Sequence, residues 1–475
     1  MSFFGSMTTA ITGIRAQSSA LGYISDNIAN SQTTGFKRTD ASFYDIVTAS
    51  SPNFHQPGAV VAKPSYTNAV QGSVDASQVS TNMAINGEGF FIVSQRVATV
   101  DSKPVFQQVP YYTRRGDFAM DKNGFLVNGG GYYLQGLPID PMTNNPTGDT
   151  PQVIQINNQF LAAKQSTTIN YTANLPNFPM TAQAAMMMNA SGSELLQTAA
   201  EAASPTPPFA NDPTVIPPTA TDGFVQAANE QSFLDRSVAG GAITVYDGQG
   251  NPVNVQIRWV KVNNTAGEGT GAAGDVWQAF YKSDDSATGT AAKWTNIGQS
   301  YAFNASGQLN PPVDSTTISA LTVNGVNLGN ITLHHGPGNM TQFADTNGTV
   351  AVNRIDQDGY ASGQLVSVAV AANGRITGTY TNGKTIDLFQ VSLAKFNNPN
   401  ALQKMNGTAF AATQDSGAPI IGGTGEIIAQ AVEASNVDLA DEFSKLIIAQ
   451  QAYTAGTRII TTSDQLIQET LNMKR

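Results

Sequence analysis

Histidines are the residues of this chain that could most directly supply a catalytic base or a metal ligand. The sequence has three of them: His55 lies in a proline-rich stretch, and His334 and His335 are adjacent. Neighbouring side chains on a strand point to opposite faces, so the adjacent pair is a poor site for a shared metal ion. No His lies at a spacing from Ser and Asp that indicates a catalytic triad. We therefore expect no catalytic residue.

Acidic turns are a second possible source of chemistry. Three segments faintly resemble calcium loops, namely Asp121-Lys-Asn-Gly124, Asp247-Gly-Gln-Gly-Asn251 and Asp356-Gln-Asp-Gly359. None has the distal Glu of an EF-hand, so we interpret them as hairpin turns. Neither a dinucleotide fingerprint nor a P-loop occurs. We expect no metal site and no cofactor.

The composition excludes further classes of function. The 475 residues include no cysteine, which excludes disulfides, thiolate nucleophiles and iron–sulfur clusters. A net charge of -10 with scattered Lys and Arg argues against a nucleic-acid partner. Charged residues make up only 12% of the chain, against about 25% in ordinary soluble domains. Such a composition is typical of surfaces that pack against copies of themselves.

The sequence carries no sign of membrane insertion or of a standard secretory signal. No apolar stretch has the length of about 20 residues that a membrane span needs. The first residues lack a basic region, a continuous apolar core and a cleavage site. Export would therefore need a route that uses no cleaved signal peptide.

A heptad row near the start of the chain predicts a helix over residues 6–29. Its apolar members are Met7, Ile14, Leu21 and Ile28. Gly13 and Gly22 weaken this helix by about 1 kcal/mol each. We expect the segment to be disordered in the free chain and to become ordered on assembly.

A second heptad row near the end of the chain predicts a longer helix. Its members are Val432, Leu439, Leu446, Tyr453, Ile460 and Ile467. Asn436 or Asp438 can cap its start. A narrow apolar seam must be buried against another helix, so the termini pair with each other, with other copies or with both. The alternative is an ordinary antiparallel helix pair inside a globular domain.

Strand signals dominate between the two rows, so the fold class is α+β, with terminal helices forming a coiled-coil inner layer and mainly antiparallel β domains nested between them. Asn-Gly and Asp-Gly hairpin signals recur along this region. The expected division is a helical domain of 1–35 and 432–475, a connector of 36–75 and 405–431, a middle β domain of 76–175 and 352–404, and an inserted outer β domain of 176–351. Residues 176–223 are proline-rich and are expected to form a long loop.

Seven short motifs occur along the chain, namely Asp26-Asn-Ile-Ala-Asn30, Thr34-Gly-Phe-Lys37, Asn86-Gly-Glu-Gly-Phe-Phe91, Arg115-Gly-Asp-Phe118, Gln357-Asp-Gly359, Glu433-Ala-Ser-Asn-Val-Asp-Leu439 and Ala449-Gln-Gln-Ala-Tyr453. They resemble the motifs of the bacterial flagellar rod and hook family. Among these, we single out Asp26, Asn27, Asn30, Gly35, Phe36, Glu433, Asn436 and Asp438 as signature residues. About 240 residues separate Arg115 from Gln357, which is room for an inserted domain that rod members lack, so the length favours a hook member.

The resemblance implies a self-assembling, extracellular flagellar subunit rather than an enzyme. It implies a helical homopolymer with the heptad residues at its assembly interface. It also implies contacts with distal rod, hook cap and hook–filament junction proteins, and export by the flagellar type III apparatus. The alternatives are a distal rod subunit, a secreted β-rich adhesin or calcium-binding protein, and a glycosidase with paired carboxylates.

Overall fold

A computed structural model describes residues 3–46, 49–51, 54–56, 58–100, 103–140, 143–156, 160–269, 274–422 and 425–473. The expected α+β class is confirmed, with a long helix at each end of the described chain and strands between them. The α-helices are α1 (Phe3–Ala29), α2 (Ala182–Met186), α3 (Ala199–Ala202), α4 (Glu230–Asp235) and α5 (Leu439–Met473). None of the described helices is long and apolar enough to cross a membrane.

The strands are numbered along the chain. The first group is β1 (Thr39–Ile46), β2 (Ala49–Ser51), β3 (Phe54–Gln56), β4 (Ala59–Tyr66), β5 (Val74–Ala76), β6 (Met83–Asn86), β7 (Phe90–Val100), β8 (Lys103–Phe106), β9 (Tyr111–Thr113), β10 (Phe118–Met120), β11 (Leu126–Asn128), β12 (Tyr132–Pro138) and β13 (Gln152–Val153). The second group is β14 (Thr168–Asn174), β15 (Phe224–Gln226), β16 (Val238–Tyr246), β17 (Pro252–Asn263), β18 (Asp275–Lys282), β19 (Ala292–Phe303), β20 (Ser315–Ile318), β21 (Thr322–Val323), β22 (Val326–Asn327), β23 (Ile331–His334), β24 (Met340–Thr341) and β25 (Ala351–Gln357). The third group is β26 (Leu365–Val370), β27 (Arg375–Tyr380), β28 (Thr385–Val391), β29 (Leu393–Lys395), β30 (Gln403–Lys404), β31 (Ala409–Ala411), β32 (Ile420–Ile421), β33 (Glu426–Ala429) and β34 (Ala431–Glu433).

The chain divides into two compact units. Unit 1 comprises Met1–Gln159 and Leu365–Arg475, and unit 2 comprises Phe160–Gln364. Unit 2 is therefore one continuous segment, whereas unit 1 is built from both ends of the chain.

Unit 1 is centred on a sheet with the strand order β26-β27-β28-β12-β7-β9-β31-β30. Alternate residues of β7 face two different cores: Phe91 and Val93 belong to the larger one, and Phe90 and Ile92 to the smaller one. Burial on both faces explains why this strand begins with an unbroken apolar run.

Strands from the two ends of the chain pair repeatedly in unit 1. Antiparallel pairs join β5 to β34, β6 to β33 and β9 to β31. The pairing positions place residue Glu433 opposite Val74. Folding of the N-terminal half of this unit therefore depends on residues about 300 or more positions later.

The expected connector of 36–75 contains more structure than the sequence indicated. Strands β1 and β4 form a two-stranded antiparallel sheet in which Ala41 lies opposite Pro64. Both strands of a two-stranded sheet are edge strands, so a proline without an N–H is tolerated there. The hairpin contacts α1, for example through a 2.7 Å hydrogen bond from Thr9 Oγ1 to the Gly58 carbonyl.

Unit 2 packs two five-stranded sheets around a core that includes Trp259, Trp277, Tyr171 and Tyr301. One sheet has the order β15-β19-β18-β17-β16, and the other has β20-β23-β14-β24 with β25 on β14. Because β14 pairs with three strands of this unit, the unit begins before residue 176.

The expected loop of residues 176–223 carries two short helices, α2 and α3. Its side chains Leu196 and Phe209 are buried in a second core of unit 2. The prolines exclude long helices and strands, but they do not stop the segment from covering a sheet.

Candidate functional site: the joined termini

Helices α1 and α5 pack against each other in antiparallel orientation. Ile14 lies beside Gly456, and Asn27 donates a 2.9 Å hydrogen bond to Glu442 Oε2. A Cβ atom on Gly456 would lie 2.7 Å from Ile14 Cγ1, so the absence of a side chain there permits the close approach. The buried positions of α1 follow helical spacing and are Ala16, Ala20, Ile24 and Asn27.

The heptad residues of α1 are less buried than these four positions. Met7, Ile14, Leu21 and Ile28 are all half-buried. On α5, Leu446, Ile460 and Ile467 are half-buried, whereas Leu439 and Tyr453 are exposed. The pair therefore leaves part of both predicted rows available for other contacts.

Val432 does not belong to the second row, because it lies on strand β34 and not on a helix. The helix begins at Leu439, where Asp438 Oδ1 accepts a 2.8 Å hydrogen bond from the Ala440 amide. The seven-residue spacing from Val432 to Leu439 crosses this cap. Asp438, and not Asn436, is thus the capping residue.

A set of exposed apolar side chains, here called the α5 apolar face, runs along the second helix. Its members are Leu439, Phe443, Ile447, Ile448, Tyr453, Ile459, Leu466 and Met473. Ile447 is 53% exposed and Ile448 66%. With 3.6 residues per turn, Leu439, Phe443, Ile447 and Tyr453 form one row along the helix, and Ile448, Ile459, Leu466 and Met473 form a second row. Exposed apolar rows of this kind mark a site of protein contact.

Lys37, Arg114 and Glu433 form a buried ionic cluster, here called the terminal clasp. One carboxylate oxygen of Glu433 bonds Lys37 Nζ, and the other lies 3.2 Å from a terminal nitrogen of Arg114. All three side chains are at most 2% exposed. Burial lowers the pKa of Lys37 and of Arg114, and the Glu433 carboxylate opposes this effect in both cases.

Backbone contacts complete the clasp. Glu433 Oε1 accepts a 2.9 Å hydrogen bond from the Gly72 amide, and Lys37 Nζ donates to the Val70 carbonyl at 2.6 Å. The Gly35 amide donates to the Glu433 carbonyl at 2.7 Å. Gly35 has a φ of +67°, and a Cβ there would lie 2.7 Å from the Arg115 backbone nitrogen. No other residue type fits this position without strain.

A second polar cluster fixes the start of α5 to α1 and β1. The buried Glu442 carboxylate accepts from Asn27 and, at 2.8 Å, from Lys445 Nζ. Lys445 also bonds Asp40 Oδ1 at 2.9 Å. Burial alone would lower the pKa of Lys445, but the bonds to Glu442 and Asp40 outweigh it and raise that pKa.

The remaining signature residues lie at the ends of these elements. Asn436 Oδ1 accepts from the Arg38 amide at 2.8 Å, and Asn30 Nδ2 bonds Asp26 Oδ1 at 2.9 Å at the end of α1. The Phe36 ring lies 5.0 Å from Lys404 Nζ. Burial lowers the pKa of Lys404 to about 8.

Sequence reasoning missed several residues of this site. Arg114, Lys404, Glu442 and Lys445 were not among the candidates, and Lys37 was seen only as part of a motif. Their signal is weak in one sequence, because each meets partners that are distant along the chain. The available clue was the low number of charged residues in the chain. Several of these few residues meet at this site.

His334 and His335 form no such site, and the side chain of His55 lies outside the described residues. His334 is exposed and His335 buried, which confirms that the adjacent side chains point apart. His335 Nε2 lies 2.9 Å from the Tyr301 hydroxyl inside unit 2, where it satisfies a buried polar group. In the part of the chain that the structure describes, no three His, Cys, Asp or Glu residues come together as a metal cluster.

Four models of flagellar protein families match the chain. Residues 7–37 match "Flagella basal body rod protein", 84–227 "Flagellar hook protein FlgE/F/G D1 domain", 219–360 "Flagellar basal body protein FlaE D2 domain" and 428–473 "Flagellar basal body rod FlgEFG protein C-terminal". The first and last of these contain Lys37 and Glu433, so both ends of the terminal clasp lie in matched segments.

Known proteins match along their whole length. The chain is 30% identical to the flagellar hook protein FlgE of Escherichia coli (98% of this chain, 99% of the relative) and 29% to that of Salmonella typhimurium (99% and 100%). A crystal structure of the Helicobacter pylori flagellar hook protein FlgE2 aligns at 14% identity with a TM-score of 0.49, over 76% of this chain and 100% of that one. On the full-length match at 30% identity, this chain belongs to the flagellar hook protein FlgE family.

Proposed function

We propose that the chain is the structural subunit of the flagellar hook, a tubular homopolymer outside the cell that transmits torque from the basal-body rod to the filament. Its relatives carry the name of flagellar hook protein, and their family is structural and not enzymatic. The observation that carries the proposal is the α5 apolar face, because an isolated subunit leaves it uncovered. Copies of the same chain cover this surface in the polymer.

The terminal clasp gives the polymer its mechanical continuity. It ties residues next to both terminal helices to the Arg114 segment of the β scaffold through buried ionic bonds. A force on the helices would thereby be passed to strand β34 and to the segment between β9 and β10. Heterologous contacts repeated along a helix produce an open tube instead of a closed ring.

Layering and flexibility form the finer part of the proposal. The terminal helices would form the inner layer around an export channel, the β strands of unit 1 the middle layer, and unit 2 the outer layer. Sliding between outer domains, which carry few charges, would let the tube bend while the inner helices resist twist. Locking neighbouring outer domains by cross-linking should straighten or stiffen the tube, and unchanged bending would contradict the sliding.

The partners follow from the place of a hook. They are copies of this chain, the distal rod, the hook cap, the hook–filament junction proteins and the export apparatus, which would accept the chain without a cleaved signal. Support comes from the family membership and from the motifs at both ends.

Electron microscopy of the purified full-length chain, seeded with short tube fragments, tests the assignment. Curved tubes are the expected result. Straight, rigid tubes would instead favour a distal rod subunit. Folded monomers that never elongate the seeds would contradict a polymer-forming role.

A further inference from the structure

Unit 2 contains a buried carboxylate that has one bond and no counter-ion. Glu194 is 5% exposed, and its Oε1 accepts a 2.8 Å hydrogen bond from Asn264 Nδ2. Its Oε2 is buried and has no hydrogen-bond partner among the described residues. An ionised carboxylate in this position is costly unless a positive charge lies close to it.

A second carboxylate meets the same amide. Glu268 Oε2 accepts from Asn264 Nδ2 at 2.9 Å and from Ser191 Oγ at 2.6 Å. These bonds lower the pKa of Glu268, so this group is ionised at neutral pH. Two carboxylates that share one amide donor lie close to each other, so Glu194 and Glu268 form one cluster with Asn264 and Ser191.

The protein supplies no cation to these carboxylates. Neither Glu194 nor Glu268 takes part in any of the ion pairs of the described residues, and residues 270–273 contain no charged side chain. Lys261, the nearest cation in the sequence, is occupied by Asp275 at 3.1 Å and by the Asn177 carbonyl at 2.8 Å. No Lys or Arg occurs between Lys164 and Arg236.

We propose that this cluster binds a divalent cation, with calcium the best fit. The donors are oxygen atoms: Glu194 Oε2, the Glu268 carboxylate and Ser191 Oγ, with water completing the shell. Turning the Asn264 amide would add its oxygen, but it would give up the Nδ2 bonds to both carboxylates and the 3.1 Å bond from the Glu268 amide. Oxygen ligands in an irregular arrangement suit calcium better than magnesium, which demands near-ideal octahedral geometry.

A bound cation would join two loops of unit 2. Ser191 and Glu194 precede α3, and Asn264 and Glu268 follow β17. The site has only two carboxylates and is partly open, so its affinity belongs to the range of extracellular modules, with a dissociation constant near about 1 mM. The inference concerns stability of unit 2 and does not depend on the proposed hook function.

Calcium titration of the full-length chain tests the site, with tryptophan fluorescence as the readout. All three tryptophans of the chain, Trp259, Trp277 and Trp294, lie in unit 2. We expect calcium to raise the melting temperature of the tryptophan signal, and Glu194→Gln to weaken calcium binding at least about tenfold. Asp247→Asn, in a turn that also resembles a calcium loop, is the matched control and should leave calcium binding unchanged.

A second variant keeps the test decisive if Glu194→Gln fails to fold. Glu268→Gln changes a more accessible side chain and should also weaken calcium binding. The proposal is overturned if calcium produces no shift, if both variants bind as the wild type does, or if magnesium acts equally well, which would indicate diffuse counter-ion binding.

Discussion

Glu433 is the residue on which the joined termini depend most. It is the single carboxylate between two buried cations, Lys37 and Arg114, and it also accepts the Gly72 amide. Removal of one partner from a buried ionic group leaves a charge without compensation, which costs more than the intact group contributes. The sequence motif marked Glu433 as a signature residue, but its partners are over 300 positions away, and one sequence does not reveal such pairing.

Substitution Glu433→Gln should destabilise unit 1 selectively. It keeps the shape of the side chain but leaves Lys37 and Arg114 buried without a negative charge, at a cost of about 3–5 kcal/mol. Urea unfolding should show an earlier loss of the helical circular dichroism, which comes mainly from α1 and α5, with an unchanged tryptophan transition from unit 2. Glu88→Gln, which removes an exposed partner of Lys395, is the control and should have no measurable effect. Equal behaviour of the two variants would contradict the role of the clasp.

Lys404 should make the stability of unit 1 depend on pH. Burial holds the pKa of Lys404 in the folded chain at about 8, below its ordinary value of 10.5. Between these values the unfolded chain binds more protons than the folded one, so stability rises with pH across this window. Below about pH 8 both states are protonated and the contribution is constant. Lys404→Met should remove this rise from the urea midpoint of the helical signal. A slope identical in the variant and the wild type would exclude Lys404 as its source.

Turn residues show how far local sequence decides structure. Asp247-Gly248, Asn373-Gly374 and Asn382-Gly383 each connect paired antiparallel strands, as their sequence predicts. Asp358-Gly359 does not form a hairpin. The Asp358 carboxylate instead accepts the amides of Thr167 and Thr168, at 2.8 and 3.0 Å, and so joins β14 to the end of β25.

At the scale of elements, periodicity located both terminal helices, and the assembly role of the heptad rows stays a prediction. The rows predicted a narrow seam, and the most buried positions of α1 are Ala16, Ala20, Ile24 and Asn27. Small residues allow α1 to approach both α5 and the β1–β4 hairpin. Because α1 contacts two elements, positions outside its heptad row are also buried. That α1 is disordered in the free chain and becomes ordered on assembly stays a prediction.

Substitution Gly456→Val should weaken the contact between α1 and α5. Its side chain would occupy the space that Ile14 fills, where even a Cβ lies 2.7 Å from Ile14 Cγ1. We expect assembled tubes of this variant to dissociate at a lower temperature, followed by light scattering. Gly22→Ala is the matched control, because no atom lies within 4 Å of its Cβ and alanine favours the helix by about 1 kcal/mol. Tubes of Gly456→Val as stable as those of Gly22→Ala would show that this close approach is dispensable.

At the scale of the whole molecule, we expect unit 2 to fold without the C-terminal part of the chain and unit 1 to require it. Unit 2 is a continuous segment, but unit 1 needs β33, β34 and Glu433 from the C-terminal part of the chain. A chain shortened after residue 425 should keep the tryptophan spectrum and melting of unit 2 while unit 1 becomes sensitive to protease. A protease-resistant fragment from residues 74–140 in the shortened chain would contradict this dependence.

The α5 apolar face is the surface on which the proposed polymer depends. The double substitution Ile447→Gln with Ile448→Gln replaces two exposed side chains, so it should leave the fold of the subunit unchanged. Val97→Gln, at an exposed apolar position of β7, is the control for loss of apolar surface in general.

The most direct test is sedimentation of the wild type, the double variant and Val97→Gln under assembly conditions, with electron microscopy of the pellet. The account predicts curved tubes from the wild type and Val97→Gln, and folded, soluble subunits from the double variant. Normal tubes from the double variant would contradict the central claim that copies join through this helix face.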